Sequence, residues 1–264
     1  MRTARIVPAG SKSCAQKKNK ELQIQKGECI WQIRIFRSSA PLWYRIPPSS
    51  CRKWDNGEEK KIRATAAAYE QVADAVAKLR PDTIVISSPH TIMYSDYFHI
   101  SPGVHAHGTM SRFGAPQVEF SLDYDSSLAD TLAVMAGMEG LRAGTEGERE
   151  KELDHGVMVP LYFIMRKYSE FRLLRVGLSG QSLNEHYRLG QLITRAASEL
   201  GRRIVYIASG DLSHKMREDG PYGFAPEGPQ YDDRIMQVMG SSNFAERFDF
   251  DEDFCDRAAE CGHR

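Results

Sequence analysis

The stretch Ile204-Val-Tyr-Ile-Ala-Ser-Gly-Asp-Leu-Ser-His214 constrains the fold of this chain more than any other. Its first part is a short, β-branched apolar run, which is typical of a buried strand. The run breaks at Ser209-Gly210, so Asp211 and His214 follow the carboxyl end of the strand, where ligands bind in open α/β sheets. A histidine beside a carboxylate suits proton transfer near neutral pH. The alternative interpretation is a capped turn with a surface histidine.

Two further histidines have a similar position relative to apolar segments. His90 follows the apolar run Thr83-Ile-Val-Ile-Ser-Ser, and His155 begins the apolar segment that runs to Leu161. Three histidines beside strand ends or helix starts can converge on one cleft. The sequence therefore predicts a site built from His90, His155 and His214.

Strand and helix patterns alternate along the chain from residue 57 onward. Residues 58–79 have apolar positions at i, i+3 and i+4 spacing, which predicts a helix, and the strand at 83–88 follows. Residues 90–116 predict a long loop over the site, residues 118–124 a strand, and Ser182–Glu185 the capping box of a helix that ends near residue 200. The remaining helices are expected near 126–138, 156–168, 230–239 and 251–261. This order predicts an α/β fold, a three-layer sandwich in which a central mixed sheet has helices on both faces.

The first 56 residues differ from the rest in charge and in cysteine content. Residues 1–57 contain 12 Lys and Arg against 3 Asp and Glu, and the remainder contains 23 against 32, although the net charge of the 264 residues is zero. Three of the five cysteines also lie in this segment. The pattern at Ile30–Phe36 alternates weakly, like an edge strand. We therefore predict two parts. Residues 1–56 form an atypical basic segment, which is either a misread frame or disordered, and residues 57–264 form an α/β domain.

Several motifs carry a resemblance to a known family, over about residues 57–262. The chain resembles the class III extradiol ring-cleavage dioxygenases of the catalytic B-subunit type (LigB-like), whose fold the Memo-like proteins share. The motifs are Ser88-Pro-His90, Met93–Pro102, Asp154-His155-Gly156, Gly210–His214, Asp219–Phe224 and Phe254–Gly262.

The resemblance implies a metal site and a catalytic role for several residues. Members of this family bind ferrous iron through two histidines and one carboxylate, and His90 matches one of those histidines. Glu260 is the candidate carboxylate ligand, with Cys261 as the alternative because Memo-like proteins have a Cys-Gly there. His214 matches the acid–base histidine and His155 a histidine that hydrogen-bonds the substrate or oxygen. Asp211 is expected to hold the tautomer of His214.

The chain departs from the family at two places. The first ligand histidine lies in a His-Pro-Pro motif, whereas this chain has Ile46-Pro47-Pro48, and isoleucine cannot bind a metal. The chain also stops soon after Glu260, where the family continues with an apolar segment, so we expect a truncated carboxyl terminus. A frame shift near Gly57 would explain the first departure, because residues 44–56 can be encoded so that the shifted frame reads Ser-His-Pro-Pro.

The function implied is Fe(II)-dependent cleavage of catecholic rings with O2, and the alternative is a Memo-like metal-binding or redox protein without ring cleavage. The expected partners are a small catecholic substrate and O2, and a homo-oligomer is compatible with the sequence. No apolar run reaches the length of a membrane span, and the scattered cysteines favour a reducing, cytoplasmic compartment. The basic arm lacks the alternating aromatic and basic residues of a stacking surface, which disfavours nucleic-acid binding.

Overall fold

The computed structural model describes residues 23–26, 30–37 and 59–263. The strands are β1 (Gln23–Lys26), β2 (Ile30–Arg37), β3 (Thr83–Ser88), β4 (Phe98–His99), β5 (His105–Met110), β6 (Ala115–Asp123), β7 (Ala143–Gly144), β8 (Arg172–Gly177) and β9 (Ile204–Asp211). The helices are α1 (Glu59–Leu79), α2 (Ser126–Met138), α3 (His155–Met165), α4 (Leu183–Glu199), α5 (Glu227–Ser241) and α6 (Glu252–Ala258).

A five-stranded sheet forms the centre of the fold, with the strand order β1-β2-β9-β3-β8. Strands β2, β9, β3 and β8 are parallel to one another, and β1 pairs antiparallel with β2, so the sheet is mixed. In the register of β3 and β9, Ser87 lies opposite Ala208. The carboxyl ends of these two strands are therefore adjacent, and the residues that follow them share one edge of the sheet.

Helices cover both faces of the sheet, which confirms the predicted three-layer α/β architecture. Helices α1 and α3 pack on the face that carries Ile84, Ile86 and Val205, and together they form one apolar core. Helices α2 and α4 pack on the opposite face, against Val85 and Val176, and form a second core. Alternation along the strands explains both cores, since successive side chains point to opposite faces.

Strand β2 lies beside β9 and is flanked by β1, so it is an inner strand and the edge-strand prediction for residues 30–36 was wrong. The sheet thus includes strands from both sides of the boundary predicted at 56/57. The frame-shift hypothesis expected no proper first strand, and β2 occupies the place beside β9. The Ile46-Pro47-Pro48 motif lies outside the described residues, so the hypothesis about it stays a prediction.

The segment predicted as a long loop, residues 90–116, contains regular structure. Strand β5 lies within it and pairs antiparallel with β6, which begins at Ala115. The polar sequence of β5 has no apolar alternation, so this strand was not predicted, whereas β6 was predicted as a strand at 118–124. Helix α2 spans the predicted residues 126–138, and Asp125 is its N-cap and accepts a hydrogen bond from the amide of Leu128.

The carboxyl-terminal part packs around a third apolar cluster, which α5 and α6 share. Helix α6 ends at Ala258, earlier than predicted, and Ala259 adopts a left-handed conformation with φ of 50°. His263 is buried and its Nδ1 lies 3.1 Å from the hydroxyl of Tyr231. Among the described residues, none of the helices combines the length and apolar character that crossing a bilayer requires.

Candidate metal centre

Three potential metal ligands converge at the carboxyl edge of the sheet. They are His90, which follows β3, Asp211, which ends β9, and Cys261, which follows α6. Their ligand atoms all lie within 4.8 Å of one another. An imidazole, a carboxylate and a thiolate are donors that first-row transition metals accept, so this group fits the ferrous iron that the resemblance implies.

Two backbone hydrogen bonds between Asp211 and Cys261 bring Cys261 into the ligand group. The amide of Asp211 donates to the carbonyl of Cys261 at 2.8 Å, and the amide of Cys261 donates back at 3.3 Å. The close approach needs a glycine at position 210, because a Cβ there would lie 2.6 Å from the carbonyl oxygen of Cys261. The glycine of the Gly210-Asp211 motif therefore lets the carboxyl-terminal segment reach the end of β9.

Glu260, the first choice for the acidic ligand, is not part of this group. Its carboxylate accepts a hydrogen bond of 2.6 Å from the amide of His263. The prediction placed Glu260 on a helix, but α6 ends before it and the left-handed Ala259 reverses the chain. Cys261, the alternative ligand, lies with His90 and Asp211 instead. Asp211 is therefore a candidate ligand, although the sequence predicted for it only the role of orienting His214.

The orientation of His214 depends on a backbone carbonyl. Its Nδ1 lies 2.6 Å from the carbonyl oxygen of Ala259, and because that oxygen can only accept, Nδ1 carries the proton. The nearest Asp211 oxygen is 3.7 Å from Nε2, which is too long for a hydrogen bond. Ala259, and not Asp211, therefore holds the tautomer, and the Asp211 prediction was wrong on this point. The ring contacts Tyr222 edge-on, with the centroids 5.0 Å apart.

His155 stands beside His90. The ring centroids are 4.0 Å apart with an interplanar angle of 36°, and Phe113 contacts His155 from another side at 5.6 Å. His155 is the first residue of α3, whose N-cap is Asp154. The structure thus brings His90 and His155 together, and it also brings His214 beside Asp211, as the sequence predicted for the cleft.

A cavity of about 600 Å³ lies close to this centre but does not contain it. Gly210 and Gly262 line the cavity, whereas their neighbours Asp211 and Cys261 do not. Its other walls come from the sheet face under α4, where Tyr206 and Ala208 alternate with the opposite-facing Val205 and Ile207. The ligand group and the cavity are therefore separate features of the same sheet edge.

Comparison with known proteins identifies the family. The family model described as the catalytic LigB subunit of aromatic ring-opening dioxygenase matches residues 47–264. The chain belongs to this family. The match begins at Pro47, directly after Ile46.

Three relatives illustrate the range of similarity. Protein CA_C1420 of Clostridium acetobutylicum is 36% identical over 225 residues, 83% of this chain, and the chain spans only 48% of that protein. The 3,4-dihydroxyphenylacetate 2,3-dioxygenase of Escherichia coli is 22% identical over 67% of the chain and 68% of its own length. A MEMO1 family protein of Thermococcus onnurineus is 32% identical over 110 residues, 40% of the chain and 35% of its own length.

Proposed function

We propose that this LigB-family chain binds ferrous iron through His90, Asp211 and Cys261 and opens catecholic rings with O2. The convergence of the three donor atoms within 4.8 Å carries the proposal. The family match supports an extradiol-type dioxygenase, and the relative named as a 3,4-dihydroxyphenylacetate 2,3-dioxygenase supports a catecholic substrate. Bound ferrous iron would supply adjacent open coordination positions for the two substrate oxygens and for O2.

His214 is the proposed acid–base residue. Because its Nδ1–H donates to the carbonyl of Ala259, the neutral ring presents Nε2 as a proton acceptor. Its side chain is 23% exposed, so a substrate hydroxyl can reach it. The nearest oxygen of Asp211 lies 3.7 Å from Nε2, which puts the imidazole of His214 beside the ligand group. The ring of His155 lies against that of His90, with the two planes tilted by 36°.

The experiment that tests this function begins with anaerobic loading of the purified protein with Fe(II), followed by elemental analysis. A panel of catechols is then added in air, while oxygen uptake and the absorbance of the ring-opened product are recorded. We expect about one iron per chain and oxygen uptake that matches product formation. His90→Ala should lose both, whereas His105→Ala, which alters an exposed histidine paired with Asp123 on the β5–β6 hairpin, should lose neither.

A Memo-like metal-binding protein without ring cleavage is the second candidate, and one observation favours it. The ligand group contains the thiolate of Cys261 in addition to His90 and Asp211, whereas Glu260 is not part of it, and a thiolate is a softer ligand than a carboxylate. Iron binding without oxygen uptake on any catechol would select this candidate. Failure to bind Fe(II) or another divalent transition metal would contradict both functions.

A further inference from the structure

Asp154 makes three hydrogen bonds that connect the start of α3 to the loop after β3. Its Oδ1 accepts from the hydroxyl of Ser88 at 2.6 Å and from the amide of Val157 at 3.2 Å. Its Oδ2 accepts from the hydroxyl of Thr91 at 2.6 Å. One carboxylate therefore caps a helix and also holds two hydroxyls that belong to a different segment of the chain.

The two hydroxyls flank His90 in the sequence. Both Ser88 and Thr91 are buried, and the oxygen of Ser88 also accepts a hydrogen bond of 3.1 Å from the amide of His90. The imidazole of His90 is exposed, so burial does not fix its position. Asp154 holds the chain on either side of the ring, through the hydroxyls of Ser88 and Thr91.

Gly156 allows this arrangement to be compact. A Cβ at that position would lie 2.4 Å from the Ser88 oxygen and 3.4 Å from Cδ2 of His90. The first turn of α3 therefore lies directly against the loop that carries His90. This contact places the first residue of the helix, His155, against the ring of His90.

We propose that Asp154 is a positioning residue that holds His90 in the orientation required for metal binding. The inference rests on the proposed function, in which His90 is a ligand, and assigns a role to the first residue of the Asp154-His155-Gly156 motif. Hydrogen bonds behind a metal ligand typically contribute 10- to 100-fold to metal affinity. Asp154 acts on the ligand through backbone placement and contributes no ligand atom to the group.

The fold contains a matched control for this role. Asp125 caps α2 and accepts a hydrogen bond of 2.6 Å from the hydroxyl of Thr83, at the amino end of the same strand β3. The two aspartates therefore share a cap and a strand hydroxyl, and only Asp154 lies next to His90. Asp125 also accepts a hydrogen bond of 3.1 Å from Arg202, so Thr83→Val is the control that leaves this ion pair intact. Thr91→Val and Thr83→Val remove one equivalent hydroxyl each with little change in shape, and Asp154→Asn and Asp125→Asn form a second pair.

The first measurement is made without metal. In protein labelled at histidine, the nuclear Overhauser effect between the rings of His90 and His155 reports their 4.0 Å separation. We expect it to be lost or strongly reduced in Asp154→Asn and Thr91→Val, and retained in Asp125→Asn and Thr83→Val. Retention in all four variants, or equal loss in the control pair, would overturn the inference.

The second measurement is the dissociation constant for Co(II), a spectroscopic substitute for iron, at a temperature where every variant is folded. We expect Asp154→Asn to weaken binding by about 10- to 100-fold, Thr91→Val to weaken it less, and both controls to match the wild type. Equal affinities in Asp154→Asn and Asp125→Asn would contradict the inference. If the wild type binds no metal but its ring contact depends on Asp154, the proposed function fails and the positioning role stands.

Discussion

His214 is a residue whose role can be separated from metal binding. Its Nδ1–H is held by Ala259, and its Nε2 does not belong to the ligand group. We expect His214→Gln to keep the iron and to lower turnover by about a hundredfold or more, the scale of general acid–base catalysis. Parallel assays of iron content and oxygen uptake check this. Loss of iron in proportion to activity would instead make His214 a ligand.

Gly210 is the residue that lets Cys261 reach the site. In Gly210→Ala, the new Cβ would lie 2.6 Å from the carbonyl of Cys261, so the carboxyl-terminal segment has to move. We expect weaker metal binding and a loss of about 1–3 kcal/mol in the free energy of unfolding, measured in urea.

Gly190 provides the control, because it lies in α4 with no atom within 4 Å of an added Cβ. Gly190→Ala should leave metal binding unchanged and raise the free energy of unfolding by about 0.5–1 kcal/mol, the helix preference for alanine. Unchanged metal affinity in Gly210→Ala would show that the site does not need Cys261 in this position.

At the scale of elements, the loop that precedes α3 is held to the sheet by Arg175 of β8. This buried guanidinium donates to the hydroxyl of Ser101 at 2.6 Å and to the carbonyls of Glu152 and Glu150 at 2.7 and 2.8 Å. The loop leads directly to Asp154, so its anchoring also supports the position of α3.

In Arg175→Met, the buried hydroxyl of Ser101 and the part-buried carbonyls of Glu150 and Glu152 lose their donor. We expect a loss of about 1–3 kcal/mol in the free energy of unfolding, the usual cost of leaving a buried hydrogen-bonding group unsatisfied. Limited proteolysis should then cut within residues 146–152 first. Arg172→Met, at the exposed start of the same strand, is the control and should leave both the stability and the cleavage pattern near those of the wild type.

At the scale of the whole molecule, the family match begins at residue 47, just after Ile46, the position at which the resemblance expects a ligand histidine. Sequencing the gene tests the frame-shift hypothesis, which predicts a single-base deletion or miscall near Gly57. Codons for residues 44–56 that cannot yield His-Pro-Pro in the shifted frame would rule the hypothesis out.

The resemblance also predicts that one substitution increases metal binding. Ile46→His should raise the metal affinity, because it creates the His-Pro-Pro motif in which the resemblance expects a ligand histidine. Tyr44→His introduces an imidazole two residues earlier and should have no such effect. Equal metal affinity in Ile46→His and the wild type would contradict the prediction.

The sequence by itself determined the approximate positions of the helices from α1 onward and the sheet edge that carries the site. Continuous apolar runs located β3 and β9 to within two residues, and the capping box of Ser182 and Glu185 marked the start of α4 as the structure has it. These signals are local, because a strand or a helix depends on residues a few positions apart. The motifs also indicated that His90, His155 and His214 lie near one another.

Only the tertiary structure decided which side chains belong to the candidate ligand group. The choice between Glu260 and Cys261 depends on the left-handed Ala259 and on the pairing of Cys261 with Asp211, a contact between segments far apart in the sequence. The role of Asp154 depends likewise on hydroxyls from β3 and its loop. Local periodicity in the sequence does not predict such contacts, because they form only when distant segments pack against each other.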